Sequence, residues 1–256
     1  MDIALVDGML VRTAGPRNGR TLLFIHALAD CGLAFTPLFE TPLADSFRLI
    51  AVDLPGFGAS PPRDDVRTIA QHAKVVAALA DAVSSTDPVG LVGHSIGSMI
   101  AVEAASQLGQ RFGGLFSIEG NLTAEDAYFS GRAADFDDPH AFKGRLLDDL
   151  WTMAQTQPIL RRFHGTMTLA DPVTMWTLGC DARRLSIGDA PGQAYLSVQP
   201  SLYYWSPHST AENTREWIAR SGMANLQFTE ASHWPTIDQP AATARAIQSF
   251  FIDHWG

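Results

Sequence analysis

Apolar positions along the chain alternate between two rhythms. Short, nearly continuous apolar runs bounded by turn residues cover Thr21 to Ile25, Phe47 to Val52, Val89 to Val92, Leu115 to Ile118 and Ser201 to Trp205, with Asn225 to Phe228 as a last, shorter one. Between them the spacing changes to three and four residues. Thr68 to Val83 carries Ile69, Ala73, Val76, Ala77, Leu79, Ala80 and Val83, and a run beginning just after Gly97 carries Met99, Ile100, Val102, Ala104, Ala105 and Leu108. Ala211 to Ser221 and Ala241 to Trp255 follow the same helical spacing. Strands this apolar suit a sheet covered on both faces, and strand, helix, strand alternation predicts an α/β protein with a mostly parallel sheet and helices on both faces. Ile3 to Val6 and Met9 to Thr13 flank Asp7-Gly8, a dipeptide favoured in tight hairpins, and predict an antiparallel edge.

The alternation is interrupted once. After Leu115 to Ile118 come Glu119-Gly120-Asn121, and from Leu122 no strand pattern appears until Ser201. Thr123 with Asp126 three residues later signals a helix start, His140 to Thr156 has Phe142, Leu146, Leu147, Leu150, Trp151 and Ala154 at helical spacing, and Asp171-Pro172 opens another helix through Trp176 and Leu178. A helical insertion of roughly seventy residues inside such an alternation predicts a cap over the strand ends, where open α/β sheets bind ligands. The expected division is a core of residues 1–121 and 196–256 and a helical cap of residues 122–195. No internal repeat or low-complexity tract is visible.

Composition narrows the functional classes. At 256 residues and 46% hydrophobic content the chain can bury a full core. Its formal net charge is −9 with no Lys/Arg cluster, so no nucleic acid and no anionic membrane is expected as a partner. Met1 to Gly15 has neither a basic start nor a long apolar core, and no stretch approaches bilayer length, which together predict a soluble, cytoplasmic protein. Cys31 and Cys180 are far apart and lack metal-ligand spacing; both are expected as small buried hydrophobes, with no disulfide, metal or organic cofactor. Oligomeric state has no sequence signal here.

Candidate chemistry centres on Val89 to Gly97, Val-Gly-Leu-Val-Gly-His-Ser-Ile-Gly. A strand that reverses into a helix within so few residues forces the central residue into strained backbone and leaves no room for side chains two positions either side. Gly93 and Gly97 supply that room. The Ser95 hydroxyl is then raised above the strand end, beside the first free amides of the helix.

Three motifs in order resemble the α/β-hydrolase superfamily across essentially the whole chain. Gly-His-Ser-Ile-Gly resembles its nucleophile elbow, His26-Ala27-Leu28 is similar to its His-Gly-x turn with Ala27 in place of Gly, and Asp53-x-Pro-Gly-x-Gly-x-Ser resembles its loop after the fourth strand. The resemblance implies a Ser95 nucleophile and oxyanion amides at Leu28 and Ile96. It also implies a general base at His233, in Ser-His-Trp-Pro where the family has Gly-His-x-Pro. The acid usual after the strand that follows the cap is missing, because Ser206-Pro207-His208-Ser209-Thr210 offers no carboxylate before Glu212. Some branches, including haloalkane dehalogenases and certain lactonases, carry the acid one strand earlier, which points to Glu119, with Glu212 and Asp238 as alternatives. Asp53 is read as bracing its own Gly-rich loop, and Asp30, Asp81 and Asp87 as turn or solvent-face residues. Of the other histidines, His26 is read as a structural hydrogen-bond partner, and His72 and His140 as solvent-facing.

The implied reaction is hydrolysis of a carboxylic ester through an acyl-Ser95 intermediate, on a small, largely apolar ester or lactone. A Ser nucleophile speaks against epoxide hydrolysis and dehalogenation. Lactone or carbon-carbon bond hydrolysis with the same triad is the alternative, and a ligand receptor on the same scaffold is a further one. Phe129, Trp151, Met153, Trp176 and Trp234 are expected to line the pocket and to favour apolar or aromatic groups over charged ones. Arg161, Arg162, Arg183 and Arg184 are read as solvated faces.

Overall fold

The computed structural model describes residues 1–84 and 86–255. Eight strands form one sheet: β1 Asp2–Val6, β2 Met9–Ala14, β3 Thr21–Ile25, β4 Arg48–Val52, β5 Val89–His94, β6 Phe112–Ile118, β7 Ser201–Trp205 and β8 Asn225–Gln227. Their spatial order is β1-β2-β4-β3-β5-β6-β7-β8. β1 and β2 pair antiparallel, as does β2 with β4, and every other pairing is parallel. The predicted hairpin therefore lies at one edge, and the mostly parallel α/β sheet is as expected.

The α-helices are α1 Leu43–Ser46, α2 Ile69–Val83, α3 Ile96–Leu108, α4 Pro139–Met153, α5 Pro158–Leu169, α6 Pro172–Leu185, α7 Ala190–Leu196, α8 Glu212–Ser221, α9 Pro235–Asp238 and α10 Pro240–Trp255. Alternation along the strands sorts two cores. Leu23, Ile25, Ile50, Val52 and Leu91 point towards α2 and α3, while Leu22, Phe24, Leu49, Ala51 and Val92 point to the other face, where Ile247, Phe250 and Phe251 of α10 cover them. Each fully buried side chain of this size contributes about 1.5–3 kcal/mol.

Caps explain the helix boundaries. Thr68 accepts from the Gln71 amide in a capping box at the start of α2, and Asp138 and Asp171 cap α4 and α6 ahead of a proline in the first turn. Some elements differ from the pattern. The elbow helix begins at Ile96, ahead of Gly97, because Gly97 lies in its first turn, and β6 begins at Phe112, extended by the glycines Gly113 and Gly114, which dilute the apolar signal. α5 was not foreseen: its apolar stripe is only Leu160, Phe163 and Met167, broken by Arg161 and Arg162.

Between β6 and β7 there is helix only among the described residues: two 3-10 helices, Ala124–Tyr128 and Ser130–Asp135, and then α4 to α7. β4 and β5 flank β3 on opposite sides, so the chain order reverses at β3 and β5. A crevice forms at the C-terminal ends of strands where such a reversal occurs. Leu28 lies in the turn after β3, and Ser95 directly follows β5.

Candidate active site

Ser95 joins β5 to α3 with φ 55° and ψ −126°, a backbone state that L-residues seldom occupy. Its amide donates to Ile118 O at 2.9 Å, and its carbonyl accepts from Ser98 N at 2.8 Å. A Cβ on Gly93 would stand 2.6 Å from Ser98 Cα, and one on Gly97 only 2.3 Å from Ile25 O. Both glycines are therefore required by close approach of backbone, as the spacing predicts. Ile96 is the first helical residue, so its N–H has no partner inside α3. The Leu28 N–H takes no backbone partner among the described residues and sits in the turn after β3. These are the two amides expected at the oxyanion position.

Glu119 follows β6, beside the elbow, and it too is strained, with φ 44°. Its Oε2 accepts from His233 Nδ1 at 2.6 Å. Its Oε1 accepts from Ser206 N at 2.9 Å, Ser209 Oγ at 2.5 Å and Thr210 Oγ1 at 3.4 Å. Burial works against the carboxylate charge, but the bonds from His233, Ser209 and Ser206 outweigh it and hold the group below the ordinary glutamate value. The segment after β7, which has no acid, thus supplies hydroxyl and amide donors to the acid that comes from β6. Of the two alternative carboxylates, Glu212 is exposed at the start of α8. Asp238 accepts from Ser232 N at 2.7 Å and Ser232 Oγ at 2.5 Å, closing the loop that carries His233.

His94 has no exposed surface; its Nε2 donates to the His233 carbonyl at 2.8 Å, and the two rings lie 4.7 Å apart. Burial, then the neighbouring His233, push its pKa well below the usual histidine range. His94 is therefore neutral and pins the backbone of His233. With Nδ1 held by Glu119, the His233 ring presents Nε2 as its remaining nitrogen. No hydrogen bond joins that nitrogen to Ser95 Oγ. Both residues line the same cavity, of about 310 Å³.

Phe129, Met153 and Trp234 line that cavity together with Leu28 and Glu119. Trp151 and Trp176 do not. Trp151 is 57% exposed and lies against His164 with the rings tilted by 52°, and the Trp176 indole donates to Phe136 O, tying α6 to the segment before α4. Helical spacing places both on one apolar side without saying which neighbour that side meets. Sequence reasoning missed Arg132, Asp149, Tyr203 and Ser209, which also face the cavity. Only Ser209 left a trace, in the hydroxyl-rich stretch where a carboxylate is missing.

Two further expectations are corrected. His72 is fully buried, because its position on α2 turns inward over the loop after β4, where Nδ1 donates to Thr68 O at 3.0 Å. Asp30 is buried too and accepts from the Trp234 indole at 3.0 Å and Cys31 N at 2.9 Å. Asp53 behaves as read: Arg12, Gly32 N and Ala59 N all donate to it. His26 accepts from Leu54 N at 3.0 Å, joining the loops after β3 and β4.

Residues 22–246 match the model of the alpha/beta hydrolase family. The chain belongs to that family. This alpha/beta hydrolase is 26% identical to a pimeloyl-[acyl-carrier protein] methyl ester esterase of Methylococcus capsulatus over 95% of its own length and 98% of the relative's. It is 41% identical, over 41% of its length, to a dihydrolipoyllysine-residue acetyltransferase component of an acetoin cleaving system from Cupriavidus necator. It covers 28% of that protein, and it spans less than half the length of other curated relatives it matches. Among solved structures, an enol-lactonase from Burkholderia xenovorans LB400 superposes with a TM-score of 0.75 at 19% identity, over 98% of this chain and 100% of the other. That likeness concerns the fold. Among the described residues no helix is long and apolar enough to cross a membrane.

Proposed function

We propose that this alpha/beta hydrolase cleaves a carboxylic ester or lactone of a small molecule through an acyl-Ser95 intermediate. The observation that carries this reading is the 2.6 Å bond from His233 Nδ1 to Glu119. It fixes the ring so that its other nitrogen is the one available to the strained Ser95 in the shared cavity. The esterase and lactonase names among relatives and neighbours support the same class.

Attack begins when the Ser95 hydroxyl turns towards His233 Nε2, a contact that commonly tightens only with substrate bound. His233 takes the hydroxyl proton while Oγ bonds to the carbonyl carbon, and Glu119 stabilises the imidazolium. Negative charge on the former carbonyl oxygen is met by the N–H groups of Leu28 and Ile96, worth about 3 kcal/mol each in such sites. The imidazolium then protonates the leaving alcohol. His233 next activates a water that releases the acid and restores Ser95. In this reading residues 122–195 form a cap over a core of residues 1–121 and 196–256, and Phe129, Met153 and Trp234 contact the substrate's apolar part.

The test is hydrolysis of a short-chain nitrophenyl ester by the purified protein and by Ser95→Ala. The variant should lose activity by about 10³-fold or more while keeping its fold by circular dichroism. Ligand binding with no Ser95-dependent turnover would replace the enzyme reading with a receptor.

A further inference from the structure

The cavity around Ser95 contains one permanent cation among the described residues, Arg132. Arg132 lies on the 3-10 helix Ser130–Asp135 and donates through Nη2 to Asp149 Oδ2 of α4 at 2.7 Å. Asp149 has a second cation one turn away on the same helix, with Arg145 Nε 3.1 Å from its Oδ1. Two guanidinium groups share one carboxylate, so the cluster has a positive charge in excess. Nε and Nη1 of Arg132 have no partner within the protein, and neither is sealed away from solvent or cavity.

The other acids that face the cavity are engaged elsewhere. Asp126 Oδ2 accepts from the amides of Leu122 and Thr123, both at 2.8 Å, and its Oδ1 accepts from Thr214 Oγ1 at 2.8 Å. Glu119 is held by His233 and the segment after β7. Much of the remaining wall is apolar, including Leu150, Met153, Leu160, Phe163 and Trp234. A guanidinium fork matches a carboxylate in two parallel bonds, and a pair in a partly enclosed cavity gains more than one on an open surface. Asp149 can release Arg132 to such a ligand and still keep Arg145.

Resting on the reading of Ser95 as an esterase nucleophile, we propose that the substrate is an ester or lactone with an apolar body ending in a carboxylate, which Arg132 binds. Apolar wall and cation then read the two parts of one molecule. Arg132 acts as a specificity-determining residue away from the bond that breaks.

The experiment compares monomethyl esters of dicarboxylic acids, from succinate to suberate, with methyl esters of monocarboxylic acids of matching length. Acetates of ω-hydroxy acids, against acetates of matching alcohols, place the carboxylate on the leaving side instead. In at least one series the wild type should favour the carboxylate-ended member in kcat/KM, and Arg132→Gln should lower that ratio by about tenfold or more. Arg132→Lys should keep part of the preference, and Asp149→Asn, which frees Arg132, should hold or raise it. A wild type that prefers the methyl-ended ester in both series, or ratios that do not change in the Arg132 variants, would overturn the proposal. Should Ser95-dependent hydrolysis of nitrophenyl esters persist in that case, only the carboxylate inference falls. Should it be missing altogether, the esterase reading itself is lost.

Discussion

Glu119 occupies a strained φ of 44°, and two donors within 3 Å, Ser206 N and Ser209 Oγ, hold its carboxylate against His233. Strain of this kind costs on the order of 1–3 kcal/mol and persists where surrounding bonds over-determine it. Replacing the carboxylate by an amide keeps the shape and removes the charge that orients the ring. Glu119→Gln should therefore lower kcat about 10³ to 10⁴-fold with little change in melting temperature, whereas Glu212→Ala, at an exposed site, should stay within about twofold. Equal effects from the two variants would remove Glu119 from the relay. Ser95 and Glu119 were legible as candidates because each follows an apolar strand, and His233 because it stands in a distinctive local stretch, Ser-His-Trp-Pro. Arg132 and Asp149 were not, because the pairing that gives them meaning joins a 3-10 helix to α4. Trp151 and Trp176 were misplaced for the complementary reason, since side-chain size and spacing fix burial more readily than they fix the neighbour.

At the scale of elements, β5, Ser95 and α3 work as one rigid turn pressed against the end of β3. The would-be Cβ at Gly97 meets two backbone oxygens, Ile25 O at 2.3 Å and His26 O at 2.6 Å, and backbone cannot move aside as a flexible side chain does. Gly97→Ala should cost about 3 kcal/mol of unfolding free energy in urea. It should also depress kcat, because displacing the end of β3 shifts the turn that carries the Leu28 amide. A variant with wild-type stability and turnover would show that this contact is not required. The central strands and the helices α2, α3, α4, α6, α8 and α10 could be read from periodicity, since each buries a regular set of apolar residues, while the edge strands β1 and β8 are largely exposed. The 3-10 helix Gly32–Glu40, with Pro37 inside it, could not, nor could α5 and α7. They bury short stripes or individual residues against elements distant in sequence, and local patterning has no access to those partners.

Across the whole molecule, three fully buried histidines tie together the segments above the sheet: His26 joins the loops after β3 and β4, His72 joins α2 to the loop after β4, and His94 of β5 holds the loop that carries His233. Burial lowers the pKa of each, and for His72 the value falls from 6.5 to about 4. A neutral imidazole in the folded state and an ordinary one in the unfolded chain mean that the unfolded state binds more protons below pH 6.5. Stability therefore declines as pH falls from about 6.5, and the contribution of His72 to that decline is complete near its folded value of about 4. Its full size is about 3 kcal/mol, set by the gap between 6.5 and about 4. Urea unfolding of the wild type and of His72→Gln at pH 7.5 and pH 5 isolates this contribution, because the other titrating groups are common to both. The wild type should lose about 2 kcal/mol more than the variant between those two conditions, even if the variant is less stable at both. Parallel losses would mean that His72 titrates normally in the folded protein, and the acid sensitivity would then have to arise from His26, His94 or the paired carboxylates.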